Sequence, residues 1–165
     1  MKESRSISSS IASPEARQQM RSLAMAAAQL VADRRCEDVR LVDLAGISQI
    51  CDYMLIASGT SQRQMKSIAS EVADLAKQQN VAVFRRSSDD GHTWVVLDLV
   101  DLVVHLFEPN LRSFYDLDAL WGGGTLLDWR RADQQDTHRC KGPIGLAMNS
   151  DDDDEEDDFD SEDED

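Results

Sequence analysis

Cysteine is scarce here: Cys36, Cys51 and Cys140 are the three thiols in 165 residues, and no two of them stand at CxxC spacing. An odd, scattered set argues against a disulfide framework and against a cysteine-ligated zinc, and it fits a reducing cytosol. No apolar run approaches the ~20 residues that a membrane-spanning helix needs. The N-terminal MKESRSISSSIAS lacks the apolar centre of a secretory signal, and it has too little apolar face for an organellar presequence. A basic stripe is missing too. Of 32 acidic residues, 13 lie between 151 and 165, leaving 19 acids against 17 Lys and Arg elsewhere. The body is therefore nearly neutral, the pI of 4.4 belongs to the tail, and sequence-specific nucleic-acid binding is not expected.

What is present reads as one α/β domain. Residues 1–13 are Ser-rich and expected to be disordered. Ser13-Pro14-Glu15 is a helix start, with Ser at the cap, Pro at the first helical position and an acid in the first turn. Met20, Leu23, Ala24, Ala27, Leu30 and Val31 follow at helical spacing, and Arg34-Arg35 close the helix. Val39–Ala45 reads as a strand, Ile47–Cys51 as a helical turn and the more apolar Asp52–Ser58 as a central strand. Gly59-Thr60 breaks it, and Ser61 with Gln64 forms a capping box. A helix to about Asn80 then buries Met65, Ile68, Ala69, Val72 and Ala76, followed by a strand at Val81–Phe84 and a polar loop from Arg85 to His92. Strand, crossover helix and strand imply a right-handed parallel unit.

The stretch from Trp94 to Trp121 says most. Two runs rich in β-branched residues, interrupted at Asp98 and Asp101, read as an antiparallel strand pair, and a short helix opened by Ser113 follows. Pairing puts Trp94, Val96 and Asp98 on one face with Val103, His105 and Phe107, while Val95, Leu97, Val104 and Leu106 make an aliphatic, helix-covered face. The first face mixes rings, a histidine and an acid. It suits either a protein interface or a second core layer beneath a Tyr115–Trp121 helix. The expected architecture is a mixed sheet of about five strands with helices packed on it over residues 14–122, and a flexible linker and acidic tail over 123–165, in which Leu126, Leu127 and Trp129 are candidates to cap the core.

Chemistry is poorly represented. Ser58-Gly59-Thr60-Ser61 lies between a strand and a helix N-terminus, where nucleotidyltransferases begin a phosphate site, but helix capping already accounts for these residues. Two metal-holding carboxylates on one strand need a spacing of two, whereas Asp98 and Asp101 are three apart and flank a turn. Asp116 and Asp118 have that spacing but fall on a helix, where they diverge. His92, His105 and His138 are not paired at ligand spacing. Cys51 reads as a small buried residue. No catalytic group, metal or cofactor is expected.

Taken together, several motifs resemble the ribosomal silencing factor (Iojap-like) family. They are Asp52-Tyr53 with its Ile-Ala-Ser-Gly-Thr-Ser turn, Arg63-Gln64, Gly91 before Trp94, Asp98 and Asp101, Val104-His105-Leu106-Phe107, Arg112, and Phe114-Tyr-Asp-Leu-Asp-Ala-Leu-Trp121. The resemblance covers about residues 17 to 122 and implies a nucleotidyltransferase-like fold without catalytic carboxylates. It implies a cytoplasmic translation repressor, not an enzyme, that binds the fourteenth protein of the large ribosomal subunit and blocks subunit joining when nutrients run short. The partner-binding residues expected from it and from the strand parity are Trp94, Asp98, His105, Phe107, Arg112, Tyr115 and Trp121. A homodimer is left open. Three features depart from the family pattern: a short loop before Trp94 with Asp90-Gly91 in place of Glu-Gly, the Gly-Gly-Gly after Trp121, and the acidic tail.

Overall fold

Ser13 starts the first helix as its sequence predicts. Its hydroxyl oxygen accepts from the Ala16 amide at 3.2 Å, and Pro14 opens α1 (Pro14–Asp33). A computed structural model describes residues 13–91 and 93–131; the expectations for residues 1–12, for His92, and for 132–165 with His138, Cys140 and the acidic tail lie outside them. Arg34, just past the end of α1, reaches across to Glu71 at 2.6 Å and ties the two long helices together. The second of these, α2 (Gln62–Gln78), begins at Ser61, whose hydroxyl oxygen accepts from the Gln64 amide at 3.2 Å. The return bond differs from a full capping box. Gln64 Oε1 takes the amide of Thr60, at 2.7 Å, while Gln64 Nε2 donates to the Arg34 carbonyl.

The sheet is mixed and has six strands, in the order β3-β4-β5-β2-β1-β6, among the described residues. They are β1 (Glu37–Asp43), β2 (Tyr53–Ser58), β3 (Arg85–Ser88), β4 (Trp94–Asp98), β5 (Leu102–Phe107) and β6 (Thr125–Leu126). The β2–β5 pair is parallel and every other pair antiparallel. β2 lies inside the sheet and is buried along its whole length, as its apolar run suggests. The strand expected at Val39–Ala45 begins two residues earlier and carries a bulge between Glu37 and Arg40, where Asp38 adopts φ 47°. Ile47–Cys51 is a non-helical turn with Ile47 and Ile50 exposed.

The largest departures are at the sheet margins. Val81–Phe84 is not a strand: Val81 and Val83 lean against the core, Phe84 is exposed, and pairing starts with the Phe84 amide on the Asp98 carbonyl. The polar Arg85–Ser88, expected as loop, is the edge strand, where one side of the backbone needs no partner and charged side chains suit solvent. The crossover through α2 therefore does not place its two strands side by side. The directly parallel partner of β2 is β5.

The final helix also differs. Pro109 occupies its first turn instead of ending a strand, so α3 (Pro109–Tyr115) starts four residues before Ser113. Asp116, at φ 43°, breaks it and caps the short α4 (Leu117–Leu120) through a hydrogen bond from the Ala119 amide.

The packing continues beyond residue 122, where the domain was expected to end. β6 pairs with Val42 and Asp43, and a Cβ on Gly124 would stand 2.4 Å from the Val42 side chain. Only the absence of a side chain lets the return strand approach so closely. Trp129 is buried, and its indole donates to the Val39 carbonyl at 3.2 Å.

Two apolar layers flank the sheet. α1 and α2 bury one, made of Leu23, Ala24, Ala27, Leu55, Met65, Val72, Val95, Leu97, Val104 and Leu106 among others. The opposite layer holds Val42, Leu44, Cys51, Met54, Ile56, Val103 and Phe107, with Leu111, Leu117 and Trp121 laid against it.

Candidate partner-binding face

Antiparallel register between β4 and β5 sets Trp94 opposite Phe107, Val96 opposite His105 and Asp98 opposite Val103. Side chains of one parity share a face, so these residues stand together on the side away from α1 and α2. The strand parity predicted from sequence is thus observed. α3 then brings Tyr115 over the end of the same face.

The rings form a continuous stack. Trp94 lies with its centroid 5.0 Å from Phe107, 5.9 Å from His105 and 4.9 Å from Tyr115. These are separations at which offset or tilted aromatic pairs attract. The indole N–H of Trp94 donates to His105 Nδ1 at 3.2 Å, so Nδ1 must be unprotonated for this bond to exist. Burial pushes His105 down to about 4, with the charge of Asp98 opposing the shift only in part. The imidazole is neutral at physiological pH and serves as a fixed acceptor beneath the tryptophan.

The approach to Trp94 is held by the preceding loop. Asp89 accepts the Thr93 hydroxyl at 2.7 Å and the Trp94 amide at 2.8 Å. Desolvation works against ionisation of Asp89, but these hydrogen bonds outweigh it and keep its carboxyl below the ordinary value. The loop before β4 therefore fixes the first residue of the strand by charge-assisted bonds.

Exposure divides the seven expected partner-binding residues. Phe107 is fully buried, His105 is 9% exposed, Trp94 and Trp121 are half-buried, and Tyr115 is 46% exposed. Trp121 rests on the apolar layer beneath the stack. Asp98 shares the parity but sits at the other end of β4, where its carboxylate accepts the Val100 amide and turns the hairpin. Arg112 points inward. Its guanidinium makes a two-toothed pair with Asp118 at 3.0 and 3.2 Å, and its third nitrogen donates to the Asp38 carbonyl and the Ser58 hydroxyl. One side chain thereby locks α3, α4, β1 and β2.

Two accessible residues were missed by sequence reasoning. Phe114 is 77% exposed and packs edge-on against Tyr115, and Leu120 is 67% exposed one helix further on. The signal was available in Phe114-Tyr115, since adjacent rings on a helix of fewer than two turns cannot both face the sheet.

The Ser58–Ser61 turn is committed internally: Ser58 is buried against Arg112, Ser61 caps α2, and Gly59 is overlaid by the Met65 side chain. Cys36 and Cys51 are buried, and desolvation pushes both thiols up to about 11, far from the thiolate form that reacts. What the face offers is apolar, ring-rich contact area on a rigid base.

A family model described as "Ribosomal silencing factor during starvation" matches residues 17–164. The ribosomal silencing factor of Bacillus subtilis is 40% identical over 108 residues, covering 66% of this chain and 92% of that protein. That of Zymomonas mobilis is 41% identical over 96 residues, covering 58% and 72%. Among more distant relatives, the mouse "mitochondrial assembly of ribosomal large subunit protein 1" is 24% identical over 95 residues, which is 56% of this chain and 42% of that protein. A crystal structure from Bacillus halodurans superposes with a TM-score of 0.54 at 32% identity, over 67% of this chain and 98% of the other. One from Chromobacterium violaceum does so at 0.56 and 29% identity, over 72% and 95%.

Proposed function

Because the chain belongs to the ribosomal silencing factor family, we propose that it represses translation by binding the large ribosomal subunit through its fourteenth protein. Bound there, it obstructs joining of the small subunit when nutrients are short. No catalytic step enters this reading, and the protein acts in the cytoplasm by occupying a surface.

The observation that carries it is the ring stack with an exposed rim. Trp94, Tyr115 and Trp121 keep part of their surface open while Phe107 and His105 hold them from below. Aromatic anchors on a pre-formed base are what concentrates binding energy at protein interfaces, because little side-chain entropy remains to be lost on docking. Phe114, packed edge-on against Tyr115, extends the same apolar rim. Arg112 and Phe107 support the surface from inside. Asp98 contributes polarity at the far margin.

Sedimentation with separated ribosomal subunits tests the reading. The protein should travel with the large subunit and not with the small one, and Trp94→Ala or Tyr115→Ala should lower its affinity by about 30-fold, the size expected for a buried aromatic anchor. Co-sedimentation with the small subunit alone, or undiminished binding by variants whose melting curves match the parent, would refute it.

A further inference from the structure

On the α1 side of the sheet, remote from the ring stack, an open groove of about 390 Å³ runs between the first two turns of α1 and the facing ends of β1 and β2. It is lined by Pro14, Arg17, Gln18, Arg21, Asp43, Ala45 and Tyr53. Its volume falls within the range of small-ligand sites. Arg17 and Arg21 are one turn apart on α1, so their side chains share one face of the helix. Both are exposed, and no ion pair joins either to a carboxylate among the described residues. The groove also lies by the start of a 20-residue helix, whose dipole adds positive potential that Glu15 in the same turn offsets in part.

Tyr53 supplies a separate observation. The residue is only 2% exposed, its ring belongs to the core, and yet it lines this groove. No hydrogen bond to its hydroxyl is made by the described residues, and its oxygen is not among the fully enclosed polar atoms. A phenol brought through the core to a groove wall, with solvent as its neighbour and no protein partner, is free to donate to a ligand there. Burial raises its pKa, and the charge of Asp43 adds to this against the two arginines, so the phenol remains protonated and able to donate.

We propose that this groove binds a phosphate ester, held by the Arg17 and Arg21 guanidiniums with the Tyr53 hydroxyl and the Gln18 amide as further donors. Two guanidinium forks, a phenol and an amide make a cationic, donor-rich set that suits the anionic oxygens of a phosphoryl group. Asp43 on the facing wall accepts Ala45 through one oxygen, leaving the other to take a hydroxyl carried by the ester. The proposal stands apart from the ribosome-binding reading, since it uses the opposite face of the sheet. The phosphoryl group belongs either to a free sugar phosphate or to an RNA backbone.

The full chain, isotope-labelled, is titrated at constant ionic strength with ribose 5-phosphate and, separately, with a short oligouridylate, while amide shifts of α1 and Tyr53 are followed. Saturable shifts confined to these residues are expected. They should weaken about fivefold in Tyr53→Phe and more than about tenfold in the Arg17→Gln/Arg21→Gln double variant, as befits lost charge-assisted bonds. Arg63→Gln, an exposed arginine on α2 outside the groove, should leave them unchanged. Saturation by the sugar phosphate alone identifies a small-molecule site, and saturation by the oligonucleotide an RNA contact; either supports the groove. Absence of saturation with both probes, or equal responses from the double variant and the parent, overturns it. Should Tyr53→Phe fail to fold, the surface double variant decides alone.

Discussion

His105 shows how one buried group ties stability to pH. In the unfolded chain its imidazole takes up a proton below its ordinary value of 6.5, whereas in the fold it does so only at about 4. The unfolded state therefore binds more protons between those values. The contribution to stability is fully present above pH 6.5 and is lost as pH falls toward 4, by up to roughly 3 kcal/mol. His105→Gln keeps an acceptor for the Trp94 indole but cannot titrate. Urea denaturation should show the variant less stable than the parent at pH 7.5, with the gap narrowing by about 2 kcal/mol at pH 4.5; a gap independent of pH would contradict the account. Arg112 makes the complementary case. Its partner Asp118 is only 20% exposed and keeps Arg40 at 3.5 Å, so Arg112→Ala removes the fork and the bonds to Asp38 and Ser58 but not every cation, and should cost about 1–3 kcal/mol. Any ribosome-binding defect of this variant should follow its loss of folded protein, and a binding defect with unchanged stability would instead make Arg112 a direct contact.

At the level of elements, Gly124 decides whether the last strand can join. A methyl there would meet Val42 and Leu44 at 2.4 and 2.7 Å, while Gly123 has open space around it. Gly124→Ala should destabilise the fold by about 1–3 kcal/mol and Gly123→Ala by much less, as thermal melts would show; equal effects would mean that β6 does not depend on close approach. This strand also marks where the sequence stops being readable. α1 was legible because a Ser-Pro-Glu start and an apolar stripe agree with each other, and the β4–β5 parity was legible because mixing aromatic with aliphatic residues separates its two faces. β3 was hidden because an edge strand has no apolar requirement, so Arg-Arg-Ser-Ser carries no period. β6 has two residues, too few for any pattern, and its signal is a spatial fit at Gly124. The same limit applied to the face itself. Parity brought Trp94, His105 and Phe107 together correctly, but it did not reveal that Arg112 is interior or that Phe114 is exposed, because both depend on where α3 begins.

For the molecule as a whole, the uneven charge has consequences that the fold does not. The segment between 151 and 165 has 13 acids and no base, a composition with little apolar side-chain area to offer a core. Deleting it should leave the melting temperature nearly unchanged. Ribosomal RNA is a polyanion, so the truncated protein should bind ribosomes more tightly than the full chain at low ionic strength, with the difference fading as salt screens it. Looser binding after truncation would make the segment a docking element.

Subunit joining itself is the most direct test of the central claim. Large and small subunits are mixed at a fixed magnesium concentration and their association is followed by light scattering, with the full chain or its Trp94→Ala/Tyr115→Ala variant added beforehand to the large subunit. The account predicts that the parent suppresses the rise in scattering in proportion to its occupancy, and that the folded double variant does so only at far higher concentration. Undiminished joining at concentrations where the parent saturates the large subunit would contradict it.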